Sequence, residues 1–220
     1  MWKPEQGILF RRFRGGEASI PGLAEDYACL AQGLLDLYET CFDDTFRDAA
    51  VGLAGRMIEL FEDRDQGGLY SGSGHDEHLV LRLKDADDGA EPSSNSVAAL
   101  TLLRLASSTG SQDFRDAAER ILKAFGGILA AVPSRLPYML MAMDYHLGQP
   151  KQIVISGEAG DAATEALVRT VHRRFLPHKA VLSGAEPRWP RRGSAAAYVC
   201  ENFTCREPAT SVEQLDALLK

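Results

Sequence analysis

The chain has 220 residues, 45% of them apolar, which is enough for one domain with a full core or one domain and a small appendage. With 24 basic against 31 acidic residues its net charge is −7, which argues against nucleic acid or an anionic membrane as partner, since both select clustered positive charge. No apolar run approaches the roughly 20 residues of a membrane span, and four cysteines without an export signal read as mostly reduced thiols, so the expected location is cytoplasmic.

The opening stretch, MWKPEQGILFRRFRGG, carries charge with no apolar segment after it and is not read as a leader peptide. Beyond it the chain repeats. Thr45-Phe46-Arg47-Asp48-Ala49-Ala50 recurs 68 residues later as Asp113-Phe114-Arg115-Asp116-Ala117-Ala118. The same offset places Leu34, Leu35 and Leu37 on Leu102, Leu103 and Leu105, and Asp26-Tyr27 on Ser94-Asn95. Each unit is therefore an apolar helix, a break, and a second helix containing FRDAA. The second helices are amphipathic: Phe46, Ala50, Leu53, Met57 and Phe61 in one copy, Phe114, Ala118, Ile121, Phe125 and Ile128 in the other, with charged residues opposite. The first helix of each unit, seen most plainly around Ala98–Leu105 in the second, is apolar on most sides and expects burial all round. An inner layer of buried helices and an outer layer of amphipathic ones describes part of an α/α toroid. Cys29 and Cys41 are expected in the core.

Between the units lies an insertion, Gly67 to Pro92. Leu79, Leu81 and Leu83 alternate with Val80, Arg82 and Lys84, so a β-hairpin of 69–70 against 79–81 is expected over the mouth of the toroid. His75, Asp76 and His78 at its tip read as a polar loop rather than a metal cluster. The stretch Asp87–Ala99, DDGAEPSSNSVAA, then leads into the second buried helix, with Ser93 or Ser94 placed to cap it. A third inner helix starts at Pro137 and stops at Gly148 and Pro150. After Pro150 the period changes. Residues 152–156 read as a strand, 161–175 as a helix and 179–183 as a parallel strand, a βαβ unit. A third strand at 196–200 follows, and then a capping box Thr210-x-x-Glu213 opening a last helix, 212–219. The fold class expected is mainly α, a partial toroid over 1–150 with an inserted β-hairpin, and a small α/β segment over 151–220.

Several strings in this order resemble one family. They are Ile20-Pro21-Gly22, Glu25-Asp26-Tyr27-Ala28, Gly33-Leu34-Leu35-Asp36-Leu37-Tyr38-Glu39, Gly67-Gly68, Asp88-Gly89-Ala90-x-Pro92-Ser93-x-Asn95-Ser96, Tyr145-x-Leu147-Gly148-x-Pro150, and Ala197-Tyr198-Val199-Cys200-x-Asn202-x-x-Cys205. Together they resemble the C-terminal portion of the thioredoxin-domain-containing family of spermatogenesis-associated protein twenty. That resemblance implies a toroid like that of six-hairpin glycosidases and N-acylglucosamine epimerases, preceded in full-length members by a thioredoxin-like domain. The chain departs from the family pattern at Ser94, where glycine is usual, and at Leu23-Ala24.

The carboxylates carry the chemical expectation. Glu25 and Asp26 open the first inner helix, and Asp87 and Asp88 precede the second. Paired carboxylates across a mouth suit acid/base work on a sugar, with Asp26 and Asp88 as acid and base and Glu25 in support. Tyr27, Tyr70 and Tyr138 would offer flat surfaces to a ring, and Asn95 and Ser94 would bind hydroxyls. Helix-dipole preference and ordinary turns account for the same acidic residues without any reaction. Cys200 and Cys205 form a C-x4-C pair, a redox candidate open to disulfide formation or exchange; metal is disfavoured for want of further ligands. Ser156–Gly160, between strand and helix, reads as a plain turn. No motif requires a cofactor or a metal. Two functions remain open: action on a carbohydrate, or a non-catalytic module that completes a toroid with a partner, a thioredoxin-like protein or its own copy.

Overall fold

The computed structural model describes residues 1–74, 80–148, 150–184, 187–201 and 204–220. They form two compact units, Met1–Asp144 and Tyr145–Lys220.

The first unit begins with three antiparallel strands, β1 (Trp2–Lys3), β2 (Ile8–Arg14) and β3 (Glu17–Pro21), in the order β1-β2-β3. Gly15 and Gly16 both take positive φ, +60° and +83°, the geometry that lets a two-residue turn follow the twist of its strands. This sheet was not anticipated from the sequence.

Four helices follow. They are α1 (Ala24–Cys41), α2 (Asp44–Phe61), α3 (Ser94–Thr109) and α4 (Gln112–Ala131). Helix α1 packs against α2 and α3, and α3 against α4. The repeat extends to the connections. Asp43 caps α2 by accepting from Thr45 N–H, and Ser111, 68 residues on, caps α4 by accepting from Phe114 N–H. The preceding helix ends in both copies on a left-handed residue, Phe42 (φ 56°) and Gly110 (φ 76°). In each, the cap N–H closes on the carbonyl four residues back, Tyr38 or Ala106. Helices α2 and α4 bury most of the predicted stripe, with Phe46 and Ile128 at its ends half-buried, and expose Asp113, Asp116 and Glu119 among others. Helix α3 is buried on almost every side, its polar first turn included. A single 3-10 turn (Pro133–Arg135) leads to α5 (Pro137–Leu147), which starts on its proline as expected.

The expected β-hairpin is not formed by the described part of the insertion. Leu69 makes one isolated bridge, with Glu62, and residues 80–92 contain no strand. Leu79 and the tip residues His75, Asp76 and His78 lie outside the described residues. The alternation is real but its polarity is reversed. Over residues 81–84 Arg82 and Lys84 turn inward to carbonyls and a carboxylate, while Leu81 and Leu83 are 67% and 64% exposed; Val80, on the side of Arg82, is exposed and stands outside the pattern. Hydrogen-bond demand of the turn beneath, rather than apolar burial, sets which side faces in.

The second unit holds β4 (Lys151–Gly157), α6 (Ala162–His172), β5 (Lys179–Ser183), β6 (Ala195–Glu201), β7 (Thr204–Cys205) and α7 (Val212–Leu218). The sheet order is β5-β4-β6-β7. β4 and β5 are parallel, Ile153 opposite Val181, so the βαβ expectation holds, and β6 joins antiparallel. Helix α6 packs on β4, β6 and α7. The last helix is capped one residue later than expected. Ser211 Oγ accepts from Gln214 N–H, and the Gln214 side chain accepts from Thr210 N–H, because Ser211 and not Thr210 is the extended residue at the helix start.

Candidate functional site

The candidate residues sit at the N-terminal ends of α1, α3 and α5. At α1, Leu23 N–H donates to Asp26 Oδ2 at 2.8 Å, one half of a capping box. Arg11, carried in by β2, donates to Glu25 Oε1 at 2.9 Å and lies 3.5 Å from Asp26 Oδ2. Tyr27 is buried, its hydroxyl accepts from Leu9 N–H at 2.9 Å, and its ring meets Trp2 and Phe61 edge-on.

At α3, Ser93 is the cap. Its Oγ accepts from Ser96 N–H and donates to Ser96 Oγ. Ser94 is buried, and its Oγ has no hydrogen-bond partner among the described residues. Asn95 is fully buried. Its Oδ1 accepts from Leu69 N–H at 2.6 Å, and its Nδ2 donates to the carbonyls of Leu69 at 3.0 Å and Asp85 at 3.2 Å. Asn95 thus serves as a one-residue strand partner, pinning the insertion to the helix. Tyr27 plays the matching part 68 residues earlier, pinning β2 to α1. The two residues expected to bind a ligand at equivalent repeat positions therefore each hold a backbone segment across the start of an inner helix, and neither presents surface.

Asp88 joins the starts of α3 and α5. Its Oδ1 accepts from Ser93 N–H at 2.8 Å, and its Oδ2 from Tyr138 N–H at 2.7 Å with a longer contact from Met139 N–H at 3.4 Å. It therefore caps α5 from outside that helix, supplying acceptors to donors that have no partner within it. Asp87 beside it makes a two-pronged pair with Arg135, which holds its carboxyl below the usual range. Tyr138 is half-buried. It donates to Gln32 Oε1 at 2.7 Å, and burial pushes its phenol up. Asp26, Glu25 and Asp88 are thus each already engaged with backbone N–H groups or Arg11.

Under the insertion Tyr70, expected to face a ligand, instead joins a cluster around Asp63 that the sequence did not reveal. Asp63 Oδ1 accepts from the N–H groups of Asp65 and Gln66, each at 3.0 Å, and its Oδ2 accepts from Lys84 Nζ at 2.7 Å and Tyr70 Oη at 2.8 Å. Lys84 also donates to Gly67 O at 2.6 Å. The Tyr70 ring has the Arg82 guanidinium 4.0 Å from its centre and Lys84 Nζ 5.0 Å away. Lys84 first, then the Gln66 N–H, hold Asp63 far below the ordinary carboxylate range; Asp63 in turn raises the Tyr70 phenol. The turn needs Gly67, at φ +74°, because a Cβ there would lie 2.6 Å from the Arg120 carbonyl oxygen. The available signal was Asp63 preceding a Gly-Gly pair, an Asx-turn pattern.

Of the cysteine alternatives, the structure holds Cys200 and Cys205 as a disulfide across β6 and β7. Cys29 and Cys41, expected in the core, are exposed on α1, whose outer face is not covered. Among the described residues no group of three or more His, Cys, Asp or Glu is placed to hold a metal ion. No helix among them is long and apolar enough to cross a membrane. At 156–160, Asp161 Oδ2 accepts from Ala163 and Thr164 N–H, so the N-terminus of α6 is filled by the chain's own carboxylate.

No protein-family profile matches the chain. Known proteins do. It is 40% identical over 217 residues to spermatogenesis-associated protein 20 of Homo sapiens, and 37% and 38% identical over 213 residues to the proteins of that name from Mus musculus and Rattus norvegicus. Each match covers 90% of this chain. The class the helices and small sheets define is mainly α. Within that class the chain is a homologue of the spermatogenesis-associated protein 20 family, and it spans 27% of the length of those three relatives.

Proposed function

We propose that this chain acts as a non-catalytic module whose α1 flank receives a further helical layer, completing an α/α toroid. One observation carries the reading. Helices α1 and α3 are equivalent in the repeat, yet α3 is covered nearly all round while α1 leaves one flank open. On that flank stand Leu30 and Leu37, 36% and 50% exposed, with Gly33 between them meeting nothing within 4 Å of where a Cβ would be, and Cys41 beyond. Their spacing, 30, 33, 37 and 41, is a helix-packing stripe, and an uncovered stripe of this kind marks an interface. The occupant we assign is a helical hairpin like α1–α2, from the part of the family protein that this chain does not match.

The competing reading, acid/base work on a carbohydrate by Asp26, Asp88 and Glu25, needs carboxylates free to exchange protons with a ligand. Those groups already serve as helix caps and as partners of Arg11, which favours the module.

Sedimentation tests it, with the chain alone and mixed with the unmatched part of the human relative as a separate polypeptide. A complex that Leu30→Glu/Leu37→Glu abolishes is the expected result. A stable monomer under both conditions overturns the proposal.

A further inference from the structure

We propose that Cys200–Cys205 is a reversible dithiol–disulfide site that exchanges electrons with an external thiol couple through Cys205. The two residues are directly opposite across β6 and β7, yet their surroundings differ sharply. Cys200 is buried beside Val154, Ala196 and Tyr198, on the sheet face that Trp189 and Leu182 pack against. Cys205 lies exposed on a two-residue edge strand. An incoming thiolate therefore has one sulfur to attack, and exposed disulfides are the ones that exchange.

The fold does not depend on the bond. β6 is held by six residue pairs to β4, and the segment after β7 is held without it, by Arg206 N–H on Val199 O and by the Ala197–Ala209 bridge. Closing so short a loop removes little chain entropy. The flanking charges do not oppose attack. Glu201 is occupied by Lys151 and Arg206, so it presents no unpaired anion to the incoming thiolate.

The step balances as follows. A thiolate of the external couple bonds to Cys205 Sγ, the S–S bond breaks, and Cys200 leaves as a thiolate that takes up a proton in its apolar setting. A second external thiol then attacks its own partner sulfur in the mixed disulfide and releases Cys205. Two electrons and two protons pass to the protein, and the external pair becomes a disulfide. Cys200, once reduced, is suited to its place as a small apolar side chain.

The test equilibrates the intact chain, with Cys29 and Cys41 replaced by serine, in buffers of reduced and oxidised glutathione. Alkylation and peptide mass spectrometry then read each sulfur. The expected result is a bond that opens under reducing ratios and re-forms when the ratio is reversed. The glutathione adduct falls on Cys205 at least tenfold more often than on Cys200, and circular dichroism stays unchanged. A bond that stays closed until the chain is unfolded overturns the proposal, as does a pair that never oxidises or adducts shared equally between the two sulfurs. A Cys200→Ser variant supplies an independent reading. It keeps Cys205 as a free thiol and is expected to take up one glutathione; if it is folded and takes up none, the site is not an exchange site. Because the readout is redox state, the outcome is separable from whether α1 binds a further helical layer.

Discussion

Asp88 accepts hydrogen bonds on both oxygens from the first turns of two different helices, so its loss is felt at α3 and α5 together. Asp88→Ala is expected to cost about 1–2 kcal/mol, the range for removing a helix cap, with Asp88→Asn recovering part of it. Urea denaturation followed by circular dichroism measures both. Asp63 offers a pH dependence with a definite sign. Lys84 and the turn N–H groups lower its carboxyl in the folded chain relative to the unfolded one. Its stabilisation is therefore complete above the unfolded value, near about 4, and declines as the pH falls below it. The gap in unfolding midpoint between the natural chain and Asp63→Asn should accordingly be widest near neutrality and should narrow steadily as the pH falls below about 4. A gap that is constant with pH would show that the ion pair with Lys84 contributes nothing.

Among the elements, the repeat is the part most open to sequence reading. Phe46 and Phe114 reveal it, and even the caps Asp43 and Ser111 keep the same offset. The left-handed position after the inner helix is filled by Gly110 in one copy and Phe42 in the other. Gly110→Ala is expected to lose about 1 kcal/mol, since an L side chain is penalised in that conformation. Gly33→Ala in mid-helix, with empty space around it, is expected to gain up to about 1 kcal/mol. Thermal unfolding of the two variants should move in opposite directions. The elements that escaped reading did so for identifiable reasons. The β2–β3 hairpin was signalled by Gly15-Gly16 between ILFRRFR and EASIP, but its arginine-rich strand lacks an apolar alternation. The insertion showed an alternation, and burial was assigned to the leucines when Arg82 and Lys84 held the inward positions. Period locates a side, but only the partners decide which side is inside, and here the partners are the carbonyls of Leu60, Gly67 and Gly72.

For the molecule as a whole, the helical order, the parallel β4–β5 pair and the family were legible, because each rests on strings local in sequence. The helix starts that carry the candidate residues were legible, and the partners of those residues were not. Asp26, Tyr27, Asp88 and Asn95 do cluster at helix starts, but nothing in the string could show that backbone N–H groups from β2, residue 69 and α5 would be their partners. The open flank of α1 was likewise hidden, because the first helix of each unit read as buried all round, whereas Leu30 and Leu37 stand exposed. Leu37→Glu is expected to leave the stability of the isolated chain within about 0.5 kcal/mol of the natural one, as a surface change does. A larger loss in urea denaturation would mean that the flank is covered within this chain itself.

Lys84 gives the insertion a chemical clock. Its ammonium is engaged by Asp63, the Gly67 carbonyl and the Tyr70 ring, and a lysine so enclosed is shielded from acylating reagents, which must reach the amine. Exposed lysines such as Lys220 should acylate first, and Lys84 only in the fraction of time that the turn is open. The slow phase of amine labelling, assigned to Lys84 by mass spectrometry, would then time the opening of the turn that Lys84 holds to Asp63 and Gly67. An enzyme that acetylates lysines would meet the same gate.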